Sequence, residues 1–303
     1  MLDKVSALDR YRMTILQREW DVKSFSKDKE YYQSQWREIF GSETSHVDVR
    51  RLGEELRPIL KGLGGSRTNK NLAGAGTAFE SVVSWYLNLL FWGTPIIVGR
   101  RHSSLPQVFN DISTITIDGK KSNSETDLIA FSVPDSQMID WNYGKAALND
   151  HLKRSIKKVD LTIIQTKTNW ADNAQVPMLW NMIYNVKDFR IPNIHIGHDG
   201  FSPLSLRELR YAFITIPSQT TLNSFKASSI NVKRVKTLSG GNYWCCPEKD
   251  DVALALHQFP ARNFSSQIAE TKDGNLWGHV QRNIDEVPYL LDSFLNFNFG
   301  RIS

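Results

Sequence analysis

Glu80, Asp127, Gln165 and Lys167 bring two carboxylates, an amide and an ammonium group onto what read as neighbouring elements of one chain. Gln165 and Lys167 close the stretch VDLTIIQTKTNW, residues 159–170, in which Leu161, Ile163 and Ile164 form a short β-branched run that predicts a buried strand. Side chains two apart on a strand share a face, so these two emerge together. Such a strand end either presents reactive groups at the rim of a sheet or is leaving the core. Glu80 belongs to a predicted helix ahead of it, and Asp127 opens the strand TDLIAF. Carboxylate and amide oxygens are donors suited to hard cations, and a lysine beside them adds a positive charge.

Helices and strands alternate around these residues. Residues 3–40 and the stretch VDVRRLGEELRPILKGLGG predict helices, the second capped by Asp48 and ended by Gly62, Gly64 and Gly65. The loop GSRTNKNLAGAGTAFE then runs into the helix of Glu80, Trp85 and Leu90. Strands are predicted at PIIVGRR, at STITIDGKK with a turn at Asp118-Gly119, at SETDLIAFSVP and at VDLTIIQTK. A helix at NAQVPMLWNMIYNV and strands at NIHIGHD and YAFITIP follow. From residue 218 the expectation is a basic strand NVKRVKTL, a Gly-rich turn SGGNYWCCP and an amphipathic helix DEVPYLLDSFLNF. The fold class is therefore α/β, with a mixed central β-sheet flanked by helices over residues 66–217. A helical region over 1–65 precedes it, and an α+β extension over 218–303 follows.

With 303 residues, 41% of them hydrophobic, the chain can bury a substantial core, which excludes wholesale disorder. Lys and Arg number 37 against 32 Asp and Glu, and the resulting +5 favours an anionic partner, nucleic acid first. The two cysteines, Cys245 and Cys246, are adjacent, which excludes a disulfide framework and a four-cysteine zinc site and suits a reducing cytoplasm. They read as packed thiols. No signal-peptide pattern opens the sequence, and the uncharged residues 81–99 are broken by Gly93, Thr94 and Pro95, so a buried helix followed by a strand is expected there and no membrane span.

An acid at the head of one strand, followed on the next by a polar residue, a spacer and a lysine, resembles the motif of the PD-(D/E)XK nuclease superfamily. Many members add a glutamate from the preceding helix, the place of Glu80 here. The resemblance covers roughly residues 66–216 and implies a restriction-endonuclease-like core that hydrolyses phosphodiester bonds. It implies that Asp127 is the central Mg2+ ligand, with Mn2+ able to substitute. The Gln165 side chain, the Thr166 carbonyl and Glu80 would complete the shell, and Lys167 would orient water or stabilise phosphoryl charge. Gln165 departs from the usual acid; its amide still ligates but carries no charge. Glu125, two residues before Asp127, is a spare carboxylate that could replace Glu80.

Double-stranded DNA is the partner this implies. Arg67, Lys70, Arg100 and Arg101 would line the approach, Asn169, Asn173 and Gln175 would contact the substrate strand or cap a helix, and Lys233, Arg234 and Lys236 would track phosphates. Tyr243 and Trp244 are either a groove probe beside the Gly pair or aromatics filling the core. Appendages on both sides of the core favour a sequence-specific type II restriction-type endonuclease working as a homodimer, the C-terminal helix being one interface, beside a possible cognate methyltransferase. The alternatives are a repair or recombination nuclease reading DNA structure, and a nuclease-fold DNA-binding protein silenced at Gln165. Each residue also has a plain reading: Glu80 as a solvated helix position, Asp127 as a turn cap, Gln165 and Lys167 as the polar exit of a strand. His195 and His198, with Asp199, resemble a metal pair, but three apart on a predicted strand and turn they need not converge, and a structural or phosphate-facing role is the expectation.

Overall fold

The computed structural model describes residues 5–21, 29–41, 47–57, 59–60, 72–100, 105–123, 126–168, 175–186, 191–217, 222–287 and 289–299. Helices α1 (Ala7–Trp20), α2 (Lys29–Phe40) and α3 (Val49–Glu54) lead into the long α4 (Leu72–Leu90). Then come β1 (Ile96–Arg100), α5 (Gln107–Ser113), β2 (Thr114–Ile117), β3 (Lys120–Asn123), β4 (Leu128–Ser132), α6 (Gly144–Ser155) and β5 (Asp160–Lys167). The chain continues through α7 (Gln175–Asn185), β6 (Ile194–Ile196), β7 (Glu208–Thr215), α8 (Ile230–Lys236), β8 (Gly241–Trp244) and β9 (Leu254–Ala255). It finishes with α9 (Phe259–Asn263), α10 (Ser265–Ala269), α11 (Leu276–Glu286) and α12 (Leu290–Leu295).

The central sheet has six strands in the order β1-β4-β5-β7-β8-β9. Strands β1, β4 and β5 run antiparallel to one another, whereas β5, β7, β8 and β9 are parallel, so the sheet is mixed, as the α/β reading expects. A second, antiparallel sheet has the order β3-β2-β6. Its β2–β3 hairpin turns at Asp118 and Gly119, both with positive φ, the conformation a two-residue hairpin needs and Gly supplies without strain.

The main sheet separates two apolar layers because strand side chains alternate. Ile96, Val98, Leu128, Ala130, Ile164 and Ile214 face the layer built on α4, while Ile97, Ile129, Phe131, Leu161, Ile163 and Tyr211 face the other. Every residue of α4 from Ser81 to Leu90 is buried, as expected of a charge-free apolar segment, and Glu80 marks where it first reaches polar surroundings. The break predicted at residues 93–95 separates α4 from β1, and among the described residues no helix is long and apolar enough to cross a membrane.

Strand β1 lies at the sheet edge, and its outward backbone groups are completed by side chains. The Arg12 guanidinium donates to the carbonyls of Ile96 (2.7 Å) and Thr94 (2.9 Å). Asn88 acts as a substitute strand, its Nδ2 donating to the Val98 carbonyl at 2.8 Å and its Oδ1 accepting the Val98 N–H at 3.2 Å. Glu19 Oε1 accepts the Arg100 N–H at 2.8 Å. An unpaired edge invites pairing with another chain, and this one is covered by α1 and α4. The same contacts fix α4 against β1, and so set Glu80 beside Arg100.

Four expectations are corrected. The segment NVKRVKTL is helical, because Ser229 accepts the Val232 N–H as an N-cap and Val232 and Val235, three apart, are both buried. In SGGNYW the expected turn is confined to Ser239 and Gly240, and Gly241–Trp244 form strand β8 with Tyr243 and Trp244 fully buried, so neither ring is available to probe a groove. The expected boundary at 217/218 falls between β7 and β8, adjacent strands of one sheet. The predicted C-terminal helix is divided between α11 and α12, with Tyr289 left-handed just before α12, and the apolar side chains of α12 fill the protein's own core. Trp85 Nε1 donates to the Phe294 carbonyl at 3.0 Å, so Leu290, Leu291, Phe294 and Leu295 are buried inside the protein and only Tyr289 of this stretch is a large exposed apolar side chain among the described residues.

Candidate functional site at the mouth of β4 and β5

Strands β4 and β5 pair from Leu128 with Ile164 to Phe131 with Leu161, and the Asp127 N–H donates to the Ile164 carbonyl at 3.1 Å. Beyond that bond the two strands stop exchanging a regular ladder, and the Asp127 carboxylate takes over. Its Oδ2 accepts the Thr166 N–H at 2.7 Å and the Thr166 hydroxyl at 3.2 Å. Main-chain carbonyls two apart on a strand point the same way, so the Thr166 carbonyl is directed to the side on which Asp127 sits.

Glu80 reaches this region from α4. Its Oε2 accepts from Arg100 Nε at 2.7 Å, on the α4 face of the sheet. Burial holds the Glu80 carboxyl above its ordinary value, with Arg100 pulling it down, the Asp127 carboxylate pushing it up and Lys167 pulling it down. That set of influences shows that Glu80, Arg100, Asp127 and Lys167 share one local field. A carboxylate raised by burial and by a like-charged neighbour is a common feature of sites that bind cations or move protons.

Gln165 and Lys167 share a face, as alternation requires, but it is the face opposite α4. Gln165 is fully buried there, and its Oε1 accepts from the Tyr211 hydroxyl at 3.3 Å. Lys167 at the strand end is half-buried. The four residues therefore straddle the end of the sheet, with Asp127 at the mouth between its two faces. The Asp127 carboxylate and the Thr166 carbonyl at this strand edge, with the Glu80 carboxylate near enough to influence them, are oxygen donors of the kind a hard divalent cation takes. The amide oxygen of Gln165 accepts from Tyr211, and an amide oxygen is an acceptor of the kind that can ligate a hard cation.

Glu19, on α1, is a site neighbour that sequence reasoning missed. It is buried, it accepts the Arg100 N–H, and burial pushes its carboxyl up to about 7. No local pattern marks it, since a single glutamate near the end of a charged helix reads as an ordinary solvated position. Only the packing of α1 along β1 brings it behind Arg100.

The remaining expected contacts are dispersed. Arg100 is engaged by Glu80, and Lys236 pairs with Asp251, while Lys233 is exposed and Arg234 half-buried on α8. Arg67, Lys70, Arg101, Glu125, Asn169 and Asn173 lie outside the described residues, as does the side chain of Gln175. Cys245 and Cys246 are free and buried, as packed thiols should be. His198 and Asp199 converge after all, with Asp111 as the third member, while His195 is exposed opposite Thr116 in the second sheet. No protein-family model matches this chain, and no curated protein does.

Proposed function

We propose that this chain is a Mg2+-dependent DNA endonuclease with a restriction-endonuclease-like core, and that it cuts duplex DNA in a sequence-specific, restriction-type manner. The single observation that carries the reading is the Asp127 carboxylate held by the Thr166 N–H and hydroxyl where the β4–β5 ladder ends, Thr166 being the residue between Gln165 and Lys167. The mixed order of the sheet, antiparallel up to β5 and parallel beyond it, supports it. Asp127, Glu80, the Thr166 carbonyl and the Gln165 amide oxygen would hold the cation. Such a cation, when bound, polarises the scissile phosphate and lowers the pKa of a bound water. Lys167 places an ammonium group where charge grows on the phosphoryl oxygens, and Thr166 keeps the Asp127 carboxylate oriented through two hydrogen bonds. Arg100 holds Glu80 in place and offsets its charge until the cation enters.

The deciding experiment is incubation of purified protein with unmodified plasmid and phage DNA in Mg2+ or in EDTA, beside Lys167→Ala and Asp127→Ala. The expected result is discrete Mg2+-dependent fragments with the wild type and a loss of at least about 100-fold in both variants, the scale of removing one charge-stabilising group. Cutting confined to branched DNA would move the reading to a repair nuclease.

Two observations favour a second reading. Glu80 is paired with Arg100, and Gln165 is buried on Tyr211, an arrangement that also suits a nuclease-fold protein that binds DNA without cutting it. Retained DNA binding with no cleavage of any substrate would establish that reading and remove the first.

A further inference from the structure

We propose that Asp111, His198 and Asp199 form a binding site for a divalent transition-metal ion of the zinc class, separate from the β4/β5 mouth. His198 Nδ1 lies 3.0 Å from Asp199 Oδ1 and 3.8 Å from Asp111 Oδ1, and one ligand atom from each of the three residues falls within 4.8 Å of the others. Tetrahedral coordination with bonds of about 2.0–2.1 Å separates neighbouring ligand atoms by roughly 3.3 Å. The observed spacings bracket that value, so small side-chain movements would close the site.

Local structure explains the convergence. His198 and Phe201 exchange two backbone hydrogen bonds of 2.9 Å around a turn whose inner residues, Asp199 and Gly200, both have positive φ. That turn sets the Asp199 carboxylate next to the His198 ring. Asp111 comes from the far side, on α5, where Gln107 Nε2 donates to its Oδ1 at 3.0 Å and orients it. Such an outer hydrogen bond is what holds a ligating carboxylate in position.

The independent observation is electrostatic. Three aspartates are buried to 4% exposure or less among the described residues, Asp9, Asp111 and Asp160. Asp9 is paired with Arg12 and Asp160 with Arg207, each a guanidinium of permanent positive charge. Asp111 has no such partner among the described residues; the basic side chain nearest it there is the imidazole of His198, 3.8 Å away, which Asp199 also contacts. A buried carboxylate needs a compensating charge, and a divalent ion held jointly with an imidazole and a second carboxylate supplies one. Imidazole and carboxylate together suit zinc and its neighbours better than Mg2+, which prefers an all-oxygen shell. The ion would tie α5 to the turn after β6 and keep at least one coordination position for water.

The test uses the full chain carrying Asp127→Asn, so that the β4/β5 mouth is weakened as a competing metal site and the outcome is independent of nuclease activity. After EDTA stripping and dialysis, Zn2+ and Mg2+ binding are followed by calorimetry and thermal unfolding. We expect one Zn2+ per chain and a rise in melting midpoint of roughly 4 °C at 100-fold excess over Kd, with no comparable effect of Mg2+. His198→Ala and Asp199→Asn should each weaken Zn2+ binding at least about 10-fold. His195→Ala, an exposed histidine outside the cluster, should bind as the parent does. Asp199 is exposed, so its variant keeps the test informative should replacement of Asp111 or His198 disturb folding. Absence of Zn2+ binding by the parent, or equal binding by parent, His198→Ala and Asp199→Asn, would overturn the proposal.

Discussion

An aspartate lies at each end of strand β5, Asp160 on the strand itself and Asp127 just ahead of the neighbouring β4, and their surroundings are built in opposite ways. At its start, Asp160 is surrounded by donors: Arg207 Nε at 2.6 Å, Arg207 Nη2, and Gln267 Nε2 at 2.5 Å. Both carboxylate oxygens are matched, and the cluster clasps β5 to the β6–β7 connection and to α10. At its end, Asp127 receives the backbone and hydroxyl of Thr166, while the next acid, Glu80, adds to the negative field instead of relieving it. A carboxylate met by donors on every side is structural. At the β4/β5 mouth Arg100 offsets the Glu80 charge while the Asp127 carboxylate opposes it, so both signs meet there around carboxylates that a cation could bridge, and this contrast is the physical reason to place function at the β4/β5 mouth.

The contrast can be broken by exchanging the two roles. Asp127→Asn should reduce Mg2+-dependent cleavage at least about 100-fold while moving stability by less than about 1 kcal/mol, since an amide oxygen can still accept from Thr166. Asp160→Asn should do the reverse, costing about 2–3 kcal/mol in urea titration because buried Gln267 and the half-exposed Arg207 lose a charged acceptor, with cleavage by the folded fraction intact. Should both variants unfold alike and cut alike, the two ends would not differ in kind.

Glu19 sharpens the comparison through pH. Its carboxyl stands at about 7 in the folded chain against about 4.5 in the unfolded one, so between those values the folded state holds the extra proton. Its contribution to stability is full below pH 4.5 and falls as pH rises to 7, a change of about 3 kcal/mol. Glu19→Gln should flatten that slope, which unfolding midpoints measured from pH 4.5 to 8 would register. An unchanged slope would place the Glu19 carboxylate in a more solvated setting than the packing indicates.

The smallest expected effect is that of Tyr211→Phe, which removes a hydroxyl that donates to Gln165 Oε1. A loss of about 1 kcal/mol is expected. Apparent Mg2+ affinity measured on the same variant asks whether Gln165 contributes to the mouth: if its amide ligates the cation, affinity changes along with stability.

Much of this was legible in the sequence because it depends on short-range pattern. The β-branched run of residues 161–164, the break at residues 93–95, the Asp118-Gly119 turn and the order of Glu80, Asp127 and Lys167 are all local signals. Alternation and turn chemistry operate over a few residues. The same logic failed at NVKRVKTL, where valines three apart outweighed β-branching once a serine cap and a packing surface were present.

Tertiary structure alone decided the rest. Arg100 as the partner of Glu80, Glu19 behind it 81 residues away in sequence, the burial of Tyr243 and Trp244 and the meeting of Asp111 with His198 all depend on which surfaces pack. Residue types and their order along strands and helices are properties of the chain. The side of the sheet a polar group shares with a charge, and whether that charge is matched, follow from packing, because electrostatic and hydrogen-bond energies depend on distance and burial that no local pattern encodes.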